Sequence, residues 1–287
     1  MNQLLPFLIA NRGVRGFAVE LDENLDQMFG WREYPPDVAR LLGQALAATP
    51  LLGADLAQDA RFNLQFQGKG ALQLLVTQID PQLNLRGMAK CAAAASGSFH
   101  QLMHGGLLAC LLEPRDGKNR YQAVVDVLGE SLAESLQVYF NQSEQLPTLI
   151  RLAAGPEKLA GFFLQRLPEG AGQDPDHWVH AYTLGSTLGQ DEMLALPAAD
   201  WLRRLFAEDE VRLLDARPVT LACQCSHAQI SAMLLGLGQT EIEPVLSEHG
   251  RVEVTCEFCG RQYRYSPSDV HHLFNASQQT GDGHTRQ

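Results

Sequence analysis

Four cysteines constrain this chain more than any other feature. Cys223-Gln224-Cys225 is followed by thirty residues and then by Cys256-Glu257-Phe258-Cys259. Four thiolates at this spacing can close a tetrahedral shell round one Zn²⁺, with bonds of about 2.3 Å. The second pair precedes Gly260, so C-x-x-C-G reads as a knuckle whose backbone N–H groups face the sulfurs. Val252 and Val254 before it, and Tyr263 and Tyr265 after it, alternate as strands, which puts the pair at a hairpin tip. Between the pairs, Ser226 is placed to cap a helix carrying Ile230, Met233, Leu234 and Leu237. A second short helix over 242–249 ends at Gly250. The bland alternative is four ordinary buried thiols; two tight pairs in so short a stretch argue against it.

A closed Cys₄ shell has no open coordination position for water, which disfavours a hydrolytic zinc enzyme. A nucleobase deaminase needs H-x-E upstream of P-C-x-x-C. Here Thr255 precedes Cys256 and H-x-E is absent from the sequence. The shell also has two possible uses. Zinc contributes on the order of 10 kcal/mol to a small domain, comparable to the net stability of a whole domain. Thiolates are also what peroxide or hypochlorite attacks. Staple and switch therefore both remain open on spacing alone.

The 287-residue chain as a whole is 45% hydrophobic and 19% charged, enough to bury a core and too apolar for a disordered chain. Thirty-three acids against 22 bases give a net charge of -11, which disfavours an extended nucleic-acid footprint. No apolar run approaches about 18 residues, so no membrane span is expected. The amino-terminal stretch lacks a basic region and an A-x-A-like exit, so a signal peptide is not expected either. The working expectation is a soluble cytoplasmic protein.

Residues 1–170 are expected to form an α+β domain, since strands and helices mix without a βαβα rhythm. Leu4, Leu5, Leu8 and Ile9 suggest one face of a short helix, followed by a strand at Phe17–Leu21. Val38, Leu41, Leu42, Ala45 and Leu46 predict a helix after Pro35-Pro36. Phe62–Phe66 and Leu72–Val76 alternate about Gly68-Lys69-Gly70, predicting a hairpin; the glycines lack the remainder of a phosphate-binding loop. Further strands are expected near 83–91, 106–113, 120–127, 147–153 and 160–167, and a helix at 130–143. Pro168–Pro175 reads as a connector. Residues 171–222 then read as a helical linker, with helices near 176–188, 191–196 and 198–207. Trp178, Tyr182, Trp201, Leu205 and Phe206, with Leu188, give it an apolar face. That face is either a marginal docking surface or ordinary core. Residues 223–275 form the cysteine domain, and 276–287 a polar, frayed tail.

Other residues carry less. Cys91 and Cys110 read as small buried side chains. His227 and His249 are expected to be spectators to four sulfur ligands, and His271-His272 to lie at the surface. Glu130, Glu134, Glu144 and Glu157 show no pairing for acid–base chemistry, so no catalytic constellation is assigned.

The residues together resemble the heat-shock protein 33 family of redox-regulated chaperones. The C-x-C and C-x-x-C signature matches at Cys223, Cys225, Cys256 and Cys259. Val14-Arg15-Gly16, Tyr34-Pro35, Leu85-Arg86-Gly87, Tyr121-Gln122, Tyr139-Phe140, Ser143-Glu144-Gln145-Leu146-Pro147-Thr148 and Glu208–Val211 sit in family-like order. The likeness covers roughly residues 4–275. One departure is Ser226-His227-Ala228-Gln229, where the family carries a charged Ser-x-Glu-Arg-like stretch. The resemblance implies an ATP-independent holdase, not an enzyme, with one zinc per chain in the reduced state. It implies Cys223–Cys225 and Cys256–Cys259 disulfides on oxidation, release of zinc, loss of order in the linker and binding of unfolded client proteins. It also implies a monomer when reduced and a homodimer when oxidised. The alternative class is a zinc-stabilised module touching RNA or a ribosome-associated partner. Its test is salt-sensitive RNA binding, which Arg251, Arg261 and Arg264 against six acids in 219–270 disfavour. An enzyme site within 1–170 ranks last.

Overall fold

A strand buried on one face alternates apolar and polar residues, whereas one buried on both faces loses that alternation. This decides the first segment. Gln3–Ile9 (QLLPFLI) is a strand, β1, and not the short helix that its leucines suggest. Leu4 enters one core and Leu5, Phe7 and Ile9 enter another, on opposite sides of the same sheet. The clustered leucines mimic helical spacing because both faces of the strand are apolar.

The computed structural model describes residues 1–10, 12–53, 60–114, 121–167 and 175–281, side chains 27, 28, 175 and 276–281 excepted. In chain order, β1 is followed by β2 (Val14–Leu21), α1 (Asp26–Phe29), α2 (Pro36–Gly53), β3 (Ala60–Gln67), β4 (Leu72–Ile79) and β5 (Asn84–Cys91). Then come α3 (Phe99–Leu102), β6 (Leu107–Pro114), β7 (Tyr121–Asp126), α4 (Leu132–Tyr139), β8 (Thr148–Ala154) and β9 (Leu159–Arg166). The remaining elements are α5 (Pro175–Ser186), α6 (Gln190–Ala195), α7 (Ala198–Leu205), β10 (Val211–Leu213), β11 (Arg217–Pro218) and β12 (Thr220–Leu221). Last are α8 (His227–Leu237), α9 (Gln239–His249), β13 (Val252–Thr255), β14 (Gln262–Tyr265) and α10 (Pro267–Gly281).

The chain divides into two units, Met1–Ala222 and Cys223–Gln287. In the first, one sheet runs β10-β1-β2-β9-β8, with β11 also on β1, and the other runs β12-β5-β4-β3-β6-β7. Helix α2 lies between the sheets. Its Val38, Leu42, Leu46 and Leu51 share a core with Phe17, Val19 and Phe163 of the first sheet and Leu64, Phe66 and Leu85 of the second. Small residues permit the close approach: a Cβ at Gly161 on β9 would overlap Leu51 and Val19, and one at Gly87 on β5 would overlap Leu46 and Thr77. The α+β expectation holds, as do the 62–76 hairpin and each further strand expected in the first domain.

The opposite face of the first sheet is covered by α5, α6 and α7. Ala181, Leu188, Met193, Trp201, Leu202 and Phe206 pack there on Leu5, Phe7, Ile9, Val14, Phe162 and Leu164. Trp201 stands edge-on to Phe162, with centroids 5.5 Å apart at 90°. Beyond α7 the chain is extended rather than irregular. β10 and β11 pair antiparallel with β1, and β12 pairs parallel with β5, so one short stretch joins the rims of both sheets. The expected helix over 130–143 is α-helical over 132–139 and passes into a π turn at Phe140–Glu144, which closes on Gln145 at φ +54°. The Pro168–Pro175 connector falls almost wholly outside the described residues. At the carboxy terminus, α10 continues to Gly281, past the point where the frayed tail is expected to begin; 282–287 lie outside the described residues.

Candidate metal centre

The second unit has a small core. Leu234, Ile242, Val252, Tyr263, Tyr265, Val270 and Phe274 bury together with Cys225 and Cys256. A core of this size is marginal on its own, and natural domains of this scale often add a metal or disulfides.

The four cysteines come from two places. Cys223 and Cys225 lie in the extended segment between β12 and α8, and Ser226 ends that segment by capping α8, its hydroxyl accepting from the Gln229 N–H at 3.2 Å. Cys256 and Cys259 occupy the tip of the β13–β14 hairpin, whose register pairs Val252 with Tyr265 and Val254 with Tyr263. The knuckle has the expected form. The Gly260 N–H donates to the Cys256 carbonyl at 2.8 Å, the Cys256 N–H to the Arg261 carbonyl at 2.9 Å, and Gly260 adopts φ +70°. Gly250 likewise ends α9 in the left-handed region.

The four sulfurs lie within 4.8 Å of one another. Cys223 Sγ is 3.6 Å from Cys256 Sγ, and Cys225 Sγ is 3.3 Å from Cys259 Sγ. A tetrahedral shell with bonds of about 2.3 Å places its sulfurs about 3.8 Å apart. The cluster therefore has the dimensions of such a shell, and its all-sulfur donor set suits a soft or borderline divalent ion such as zinc.

The electrostatics agree with a cation at the centre. Burial raises the Cys256 and Cys259 thiols, and the neighbouring sulfurs raise them further; backbone N–H groups of Phe258, Cys259 and Arg261 oppose this. Burial also acts against ionisation of Cys225, but the Tyr263 hydroxyl and the adjacent thiols outweigh it and bring Cys225 down to about 7. That hydroxyl interacts with the Arg261 guanidinium as well as with the Cys225 sulfur. One thiol thus ionises readily, and four together need positive charge to do so.

Neither His227 nor His249 belongs to the ligand group. His227 instead packs on Tyr265, centroids 4.7 Å apart, and Tyr265 Oη donates to the His227 carbonyl at 3.3 Å. His271 and His272 are exposed on α10. Of the aromatic rings that could stack on bases in an RNA-binding module, Tyr263 and Tyr265 are buried and Phe258 is half-buried. Cys110 is buried, and its surroundings raise its thiol to about 12; Cys91 is half-buried. Of the linker side chains, Trp201 and Phe206 are buried, Trp178 and Leu205 half-buried, and Tyr182 is 41% exposed. Glu144 accepts from Tyr121 and Tyr139 hydroxyls, at 3.0 and 2.6 Å, and belongs to no acid–base pair.

Sequence reasoning missed the polar groups that hold the linker helices. Asp209, whose side chain is fully buried, accepts from Arg12 Nε at 2.9 Å and lies 2.8 Å from His180 Nε2. Arg151 Nε donates to the Leu188 carbonyl at 3.1 Å. These partners are 29 to 197 residues apart, and no local pattern announces them.

Comparison with known proteins agrees with this picture. The family model described as Hsp33 protein matches residues 2–266. A 33 kDa chaperonin of Nitrosococcus oceani is 41% identical over 95% of this chain and 94% of its own length. One from Pseudomonas aeruginosa is 36% identical over 99% and 98%. The crystal structure of a 33 kDa chaperonin from Thermotoga maritima shares the fold, with a TM-score of 0.79 over 97% of this chain and all of that one, at 21% identity.

Proposed function

Because the chain belongs to the Hsp33 family of non-enzymatic chaperones, we propose that it is a redox-regulated, ATP-independent holdase whose sensor is the four-sulfur cluster. The observation that carries this reading is the gathering of four sulfurs within 4.8 Å in a unit with so small a core. Zinc, when bound, neutralises the thiolates and cross-links the C-x-C segment to the hairpin tip. Cys223, Cys225, Cys256 and Cys259 are its ligands in this reading.

In the oxidised state, Cys223 bonds to Cys225 and Cys256 to Cys259. Each pair of thiolates gives up two electrons, and one peroxide per pair takes them up with two protons from solvent to leave two waters. Sulfurs held in disulfides no longer ligate a metal, and the Cys223–Gln287 unit loses its staple.

The chain path supports a link from this unit to the linker. Cys223 follows β12 after a single residue, and β12, β11 and β10 are strands of only two or three residues. Loss of order at Cys223 frays these strands in turn and then reaches α7. Detachment of α5–α7 uncovers Leu5, Phe7, Ile9, Phe162 and Leu164, an apolar sheet face suited to unfolding clients. On this reading residues 171–222 are the metastable linker, the reduced protein is a cytoplasmic monomer, and the oxidised form is a homodimer. No described helix is long and apolar enough to cross a membrane.

The test is a parallel count of zinc and free thiols during peroxide treatment at raised temperature, with aggregation of a denatured client followed in the same samples. One zinc and six thiols should fall to no zinc and two thiols as aggregation is suppressed. Equal activity in the reduced form would remove the switch. Peptide mapping that found Cys223 joined to Cys256 would refute the disulfide assignment.

A further inference from the structure

Helix α7 begins without a cap of its own. Its N-cap residue is Pro197, which brings no side chain to the helix end. The acceptor comes from the sheet. Glu20 on β2, with a side chain only 8% exposed, accepts from the Ala198 N–H at 2.8 Å through Oε1. The same oxygen lies 2.9 Å from Lys158 Nζ, and Oε2 accepts from Gln3 Nε2 at 3.1 Å. Lys158, just before β9, also donates to the Leu196 carbonyl at 2.6 Å. One carboxylate and one ammonium on the sheet thus grip the backbone on both sides of Pro197.

A buried ion pair adds little net stability, because both charges give up hydration on closing and regain it on opening. It is nonetheless exacting. If one charge is lost, the other stays buried and unpaired, and lifting the covering segment is the direct way to rehydrate it. A purely apolar contact has no such condition.

We propose that Glu20 and Lys158 form an ionic latch for the α6–α7 segment, and that breaking it releases this segment while the sulfur centre stays reduced and metal-loaded. The latch concerns docking of 189–206; only its consequence for client binding rests on the function proposed above. It offers a route to opening that needs no thiol oxidation.

The test uses the full-length reduced protein and its zinc. In Glu20→Gln, hydrogen exchange of amides in 190–206 should accelerate about tenfold or more. Peptides from β2 and β9, the zinc content and the thiol count should stay unchanged. Unchanged exchange in 190–206, or acceleration shared by β2 and β9, overturns the latch. The double variant Glu20→Gln with Lys158→Gln removes both charges and keeps an acceptor for the Ala198 N–H and a donor for the Leu196 carbonyl. It should protect 190–206 at least as well as the original pair; if it is as open as Glu20→Gln, the charge argument fails. An opened but inactive Glu20→Gln protein upholds the latch and refutes the placement of the client surface.

Discussion

Trp201→Ala asks whether α5–α7 form a separable layer. Trp201 is fully buried, with its ring edge-on to Phe162. A buried tryptophan covers about 150–250 Å², worth about 4–6 kcal/mol at ~25 cal/mol per Å². Measured truncations of large aromatics cost about 3–5 kcal/mol, so about 4 kcal/mol is the working figure. If the helices open independently of the sheets, the whole cost falls on that opening. Amide exchange in 178–206 then accelerates by about a thousandfold, since each 1.4 kcal/mol is a factor of ten. Peptides from β2, β9 and α2 keep their protection. Hydrogen exchange with mass spectrometry on the reduced, zinc-loaded protein reads this directly. Trp201→Phe is the control. It keeps an aromatic ring near Phe162 and removes an indole N–H that is buried without a partner among the described residues, so exchange should change by less than about tenfold. Uniform acceleration across both sheets in Trp201→Ala would refute the reasoning and make these helices ordinary core.

Further predictions concern the sulfur centre, a buried carboxylate and a close contact. Chelating the metal under reducing conditions should remove about 10 kcal/mol of support from the second unit, abolishing exchange protection in 227–275 while β3 and β4 stay protected; retained protection would show that the core suffices. Burial opposes ionisation of Asp209, but His180 and then Arg12 outweigh it and hold its carboxyl below the usual carboxylate range. Its contribution to docking is therefore present in full above the unfolded value of about 3.9 and fades as pH falls through the lower folded value. Asp209→Asn should remove that contribution near neutrality and flatten the acid limb of linker opening, as measured by pulsed exchange. A Cβ at Gly16 would overlap the ring of Phe7. Gly16→Ala should therefore cost about 1–3 kcal/mol, read as a lowered denaturation midpoint with unchanged zinc content.

Legibility in the sequence followed the range of the interactions. The hairpin at 62–76, α2, the Ser226 cap, the knuckle glycine and each of the two cysteine pairs are set by residues within a few positions of one another. Those pieces were readable. β1 was misread because the period-two signal vanishes when a strand is buried on both sides, and Leu4, Leu5, Leu8 and Ile9 then imitate a helix. β10–β12 escaped notice because strands of two or three residues carry no period at all. No local pattern marks Glu20 or Asp209, because only the return of the chain across the first sheet buries them against Lys158 and Arg12.

The outer helices also set a clock. α5, α6 and α7 have 12, 6 and 8 residues and rest on a sheet that does not need them in order to pair its own strands. Re-forming such short local helices takes microseconds, whereas thiol–disulfide exchange takes seconds to hours. In the redox switch proposed above, the time a client spends held after an oxidative episode is therefore governed by how fast the cell supplies reducing equivalents, with the polypeptide's own refolding adding almost nothing to the delay.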